Sequence, residues 1–218
     1  MEEPIVAGAD DREQSLGEEI ANSLSHGVAL AAALAGTPVL VLAAMRKGEA
    51  LAVASVSIFA ASMVLLYLSS MLYHFLPKNR AKELFLIFDH IAIFLLIAGT
   101  YTPFALDVLG GTLGWTLFGL SWGTAAVGIL TKLSPKLRHS WLSLVLYLGM
   151  GWMILPVIGP LYQRLPFAGM VWVVAGGVAY TAGVIFYLGR ARYSHFIWHL
   201  FTMAGTTCHF FAILWYAI

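Results

Sequence analysis

LAVASVSIFAASMVLLYLSSMLYHFL, the stretch Leu51–Leu76, holds no Asp, Glu, Lys or Arg. A helix rising ~1.5 Å per residue needs about 20 mostly apolar residues to cross ~30 Å of hydrocarbon, a length this run exceeds. Its solvent is therefore a bilayer. Six further runs meet the same condition: Leu24–Met45, Leu84–Leu106, Leu113–Leu130, Trp141–Ile158, Gly169–Gly189 and Phe196–Ala217. Short polar breaks separate them. The expected fold is an all-α integral membrane protein, a bundle of seven transmembrane helices.

Composition agrees with this. Of the 218 residues 60% are hydrophobic and only 11% charged, too apolar a balance for a water-soluble fold. A net charge of +1 leaves no clustered basic surface for nucleic acid, whose phosphates demand one. Cys208 is the single cysteine, so no disulfide forms within the chain. Residues 1–17 are polar and acidic and lack the basic start of a cleaved signal peptide. They are expected to form a disordered tail, with 18–218 as a single seven-helix membrane domain.

Sorting the basic residues between alternate loops sets the orientation. Arg12, Lys78, Arg80, Lys82, Lys132, Lys136, Arg138, Arg190 and Arg192 fall on the amino-terminal side, against Arg46, Lys47 and Arg164 on the other. Nine against three predicts a cytoplasmic amino terminus and a carboxyl terminus outside. Pro103, Pro156 and Pro160 are expected to kink or end helices. Gly149-Met150-Gly151 and Gly176-Gly177 suit close helix packing.

Ionisable groups inside a span are costly, so each is a candidate for function. His74 closes the second span, Asp89 opens the third, and His195 and His199 open the seventh, all on the cytoplasmic side of the predicted topology. His195 and His199 are four residues apart and project from one helix face. Three helices thus bring three imidazoles and a carboxylate to one depth. Three His nitrogens with water in the fourth position make the open tetrahedral arrangement of catalytic zinc; iron and copper also accept imidazole. Asp89 is open to two roles, fourth ligand or general base for the bound water. Ser70, one turn before His74, can orient that water or a ligand, or bond its own backbone. Glu19, Asn22 and His26 share one face at the head of the first span. They suit helix capping, bonds to the second or seventh span, or a cytoplasmic entrance. His209 lies ten residues beyond His199, ~15 Å along the helix, and cannot share its ion; Cys208 is excluded alike. His90 and His139 are assigned plain structural or surface roles.

Together, Glu19-x-x-Asn22-x-x-x-His26, Ser70-x-x-x-His74 followed by Asp89, and His195-x-x-x-His199 resemble the bacterial hemolysin III family, within the progestin and adipoQ receptor superfamily. That resemblance implies a zinc ion held by His74, His195 and His199, with Asp89 bonded to the zinc-bound water. It also implies a multi-pass protein of the bacterial inner (plasma) membrane. The superfamily resembles alkaline ceramidases, so the expected activity is hydrolysis of a lipid amide or ester, with a membrane lipid or fatty-acyl substrate and a part in lipid homeostasis. Adiponectin receptors of the superfamily carry an extended amino-terminal domain, whereas a short tail precedes the first span here. Two alternatives remain open on the sequence: a non-catalytic zinc-containing receptor or lipid-state sensor, and a hemolysin-like cytolytic protein.

Overall fold

The computed structural model describes residues 13–134, 137 and 140–218; the tail before Glu13, and with it Arg12, and also Lys136, Arg138 and His139 lie outside the described residues. The helices are α1 (Leu16–Lys47), α2 (Ala50–Phe75), α3 (Arg80–Pro103), α4 (Gly111–Leu133), α5 (Ser140–Gly151), α6 (Ile158–Tyr162), α7 (Phe167–Tyr187) and α8 (Ser194–Ala212). Among the described residues there are no strands. α5 and α6, joined by a 3₁₀ stretch at Trp152–Val157, make one span, so the chain crosses seven times.

Local chemistry explains the irregular joints. Pro103 has no N–H to donate, and beyond it the α3 ladder widens into a π turn over Phe104–Leu109. Gly110 and Gly111 follow at φ 57° and 53°, the left-handed region that glycine enters without a Cβ clash, and they reverse the chain into α4. The first helix starts at Leu16, well before the Leu24 expected from hydropathy. Its extra turns carry Glu18, Glu19 and Asn22, whose side chains find partners that hydropathy does not register. The Glu18 carboxylate accepts from the Ser15 N–H at 2.9 Å and the Ser15 hydroxyl at 2.8 Å, which fixes the helix start as a capping carboxylate does.

α2 is sandwiched between α1 and α3, α7 packs along α8, and α8 returns against α1. Phe59, Met63 and Leu66 of α2 are buried in the core that this arrangement creates, with Ala29 and Ala33 of α1 and Ile213 after α8. Glycine permits the tightest approaches between helices: Trp198 and Phe201 of α8 lie over Gly183 of α7, where an added Cβ would meet them at 2.7–2.8 Å. The outward face carries exposed Leu42, Leu65, Val127, Val145 and Ile185. In water so wide an apolar surface would aggregate; against lipid it is the required solvent face.

Candidate metal centre

The end of the bundle that carries the amino terminus gathers the polar residues. α2 arrives there with Ser70 and His74, and α8 departs from it with His195 and His199. A local device starts α8 where it does. Tyr193, just before Ser194, adopts φ 62°, a left-handed conformation that costs a bulky residue about 1–2 kcal/mol. Its N–H donates to the second oxygen of Glu18 at 2.9 Å. The first turn of α1 thereby holds the strained turn that aims His195 and His199 back into the bundle.

One ring nitrogen from each of His74, His195 and His199 lies within 4.8 Å of the other two, close enough for one ion. His74 Nδ1 is engaged by Glu19 Oε2 at 2.8 Å, and Asn22 Nδ2 stands 3.5 Å away. His199 Nδ1 pairs with Ser25 Oγ at 3.1 Å. Engagement of Nδ1 leaves Nε2 as the coordinating atom. His74 Nε2 fits that role closely, being buried without any hydrogen-bond partner. A buried imidazole nitrogen left unpaired costs free energy, and a metal ion removes that cost. The donor set therefore fits a metal. No Asp89 oxygen belongs to the clustered ligand atoms.

Glu19 ties the centre outward as well. Its Oε1 accepts from Lys82 Nζ at 2.9 Å, and the same ammonium donates to the Tyr73 carbonyl at 3.0 Å. Asn22 donates to Gln14 Oε1 at 2.6 Å, and Lys78 pairs with Glu13. Residues just ahead of α1 thus lie across the polar end of the site.

A cavity of about 410 Å³ begins at this centre and runs into the bundle. Asp89 and His195 line it, so both are only part-covered although they sit inside the bundle, while His74 and His199 are buried behind its wall. Its further walls are mainly apolar: Ile93, Ile97 and Phe104 follow α3, and Leu148, Met170 and Val173 come from α5 and α7, with Thr100, Tyr180, Thr202 and His209 among them. From Asp89 to Phe104 is fifteen residues, roughly 22 Å at ~1.5 Å each. α5 and α7 do not pack along one another, and the cavity occupies the gap between them.

The remaining candidates sort as follows. Ser70 is buried beside Asp89, its hydroxyl without a hydrogen bond of good geometry. His26 is not hydrogen-bonded at all: it stacks face to face on His199, centroids 3.6 Å apart and planes at 10°, with Tyr67 edge-on at 5.1 Å. Glu19 reaches the second span and His26 the seventh. His90 Nδ1 bonds the Leu86 carbonyl at 2.7 Å and His209 Nε2 the Val173 carbonyl at 3.1 Å. Sequence reasoning passed over Glu18, Ser25 and Lys82. Glu18 and Ser25 fall on the same polar opening of α1 as Glu19 and Asn22, and that run of polar residues ahead of a span was the available signal. Lys82 counts on the sequence only as a topology charge.

Comparison with known proteins places these residues in context. Residues 14–210 match the family model described as Haemolysin-III related. The chain is 41% identical to "Hemolysin-3" of Bacillus cereus over 206 residues, 94% of each chain. It is also 41% identical to the "Hemolysin-3 homolog" of Bacillus subtilis (strain 168), over 202 residues covering 92% of this chain and 95% of that one. No solved structure matches it.

Proposed function

Because the chain belongs to the haemolysin-III related family of multi-pass membrane proteins, we propose that its polar centre is a zinc site and that the protein hydrolyses an amide or ester of a membrane lipid. The observation that carries the reading is continuity. The three-histidine cluster and Asp89 stand at the head of a cavity whose other walls are mainly apolar over roughly the length of a long acyl chain. A purely structural ion needs no such chamber. The gap between α5 and α7 would let a lipid enter sideways from the bilayer. The excess of basic residues around the amino-terminal face supports placing that face in the cytoplasm, in the inner membrane of a bacterium.

His74, His195 and His199 would hold the zinc ion, and zinc when bound lowers the pKa of water and polarises a carbonyl. Glu19 and Ser25 fix the tautomers that present Nε2. Asp89, facing the cavity beside the cluster, takes the proton of the attacking water and returns it to the leaving oxygen or nitrogen. Ser70, buried beside Asp89, orients the attacking water or a ligand. Glu13, Gln14 and Lys78 narrow the aqueous end. The test is zinc analysis of purified protein together with fatty-acid release from a mixed-lipid extract in detergent. Stoichiometric zinc and release that disappears in Asp89→Asn are expected; zinc without release from any lipid class would overturn the reading in favour of a structural clamp. Leakage assays on liposomes carrying the protein test cytolysis separately, and intact vesicles are expected.

A further inference from the structure

Three tyrosines from three different helices line the cavity together with Asp89: Tyr73 of α2, Tyr147 of α5 and Tyr187 of α7. They are not equivalent. Tyr147 donates its hydroxyl to the His90 carbonyl at 2.8 Å, which fixes α5 against α3 and leaves no proton to give. Tyr73 lies beneath the Lys82 ammonium, 4.7 Å from its ring centroid, and beside His74. Tyr187 is different in kind. Its ring packs 5.4 Å from Trp198 and 6.5 Å from His195, yet its hydroxyl makes no hydrogen bond among the described residues. α7 supplies no metal ligand, so Tyr187 is the polar group by which that helix reaches the centre.

A phenol stays protonated far above neutral pH and offers one donor. On a ring held by its packing in the lining of a cavity within the bundle, such a donor suits an oxygen that gains negative charge. We propose that Tyr187 is a catalytic residue, whose hydroxyl donates a hydrogen bond to the substrate carbonyl oxygen as the carbonyl is attacked. This rests on the hydrolase reading above. In the step, the oxygen of water bonds to the carbonyl carbon, the C=O π pair moves onto the carbonyl oxygen facing Tyr187, and the displaced proton passes to Asp89. On collapse the π bond re-forms and the bond to the leaving oxygen or nitrogen breaks with its electron pair. The leaving atom then takes the proton from Asp89. Fatty acid and an alcohol or amine result, and nothing is oxidised or reduced.

The test is Tyr187→Phe in the full chain. The hydroxyl has no hydrogen-bond partner among the described residues, so its removal orphans none of them, and the ring still packs on Trp198. Zinc content and KM are expected to match the parent, while kcat falls by ~10²-fold or more. An alkyl phosphonate, whose charged oxygens imitate the attacked carbonyl, should bind the variant more weakly by a similar factor, with palmitic acid binding unchanged. A variant with parental kcat and parental phosphonate affinity overturns the role of Tyr187 and leaves the hydrolase reading standing, provided Asp89→Asn is inactive. A parent protein that cleaves no lipid and binds the phosphonate no better than palmitic acid overturns both.

Discussion

His199 and His209 stand on the same helix, and both are enclosed by protein, yet the structure uses them differently. At the amino-terminal end, His74 and His199 each spend Nδ1 on a side chain, Glu19 or Ser25, and each has a ring nitrogen within reach of the other ligand atoms of the cluster. Deeper in the bundle, His209 spends Nε2 on the Val173 backbone carbonyl and lies against Gly176 of α7. His90 is likewise tied to the carbonyl of Leu86. A histidine bonded to backbone is a packing element that joins or stiffens helices. A histidine oriented by a side chain, with its second nitrogen beside two others, is placed to bind a metal ion. What separates the two is convergence and the assignment of each ring nitrogen, since burial is common to both.

The sharpest way to break this contrast is to remove ligands from each region in turn. His195→Ala combined with His199→Ala is expected to abolish the metal retained through purification, measured by elemental analysis, whereas His209→Ala retains it. Loss of metal from His209→Ala would erase the distinction. Next in size is the effect on chemistry alone. Asp89→Asn preserves the donor set and is expected to keep its metal while turnover drops by ~10²–10⁴-fold; undiminished turnover would remove Asp89 from its role as base.

A smaller effect tests the side chains that orient the ligands. Glu19→Gln still fills the space beside His74 but replaces a charged acceptor with an amide, and it releases Lys82. Metal affinity, measured by competition with a chelator, is expected to weaken by ~10–100-fold. Affinity equal to the parent would mean that His74 is oriented by packing alone, as His209 is.

The seven spans were legible because their signal is length and hydropathy, and a bilayer enforces both. The observed ends lie close to the predicted ones for α2 through α8. At α1 hydropathy set the start of the span near Leu24, whereas the helix begins at Leu16, because Glu18, Glu19 and Asn22 find partners in Ser15, Tyr193, His74 and Gln14. The meeting of His74 with His195 and His199 was legible from topology, which carries three polar span ends to one depth. The stacking of His26 on His199 was not, since a spacing along α1 says nothing about which ring it will face. Nor was Tyr187, because a tyrosine at a span end is ordinary until the fold places it in the lining of the cavity with Asp89. The cavity itself depends on α5 and α7 failing to close on each other, which no local pattern encodes.

The smallest effect belongs to the deep region and completes the contrast. A Cβ added at Gly176 would clash with the His209 ring, and the ring cannot simply turn away because Nε2 is bonded to Val173, one turn earlier on α7. Overpacking of this kind typically costs about 1–3 kcal/mol. Gly176→Ala is therefore expected to lower the melting temperature in detergent, while zinc content and the response to the phosphonate stay at parental values, since His199 is ~15 Å away along α8. Loss of zinc from Gly176→Ala would show that the α7–α8 contact sets the position of His195 and His199, and His209 would then have to be counted among the groups that shape the metal centre.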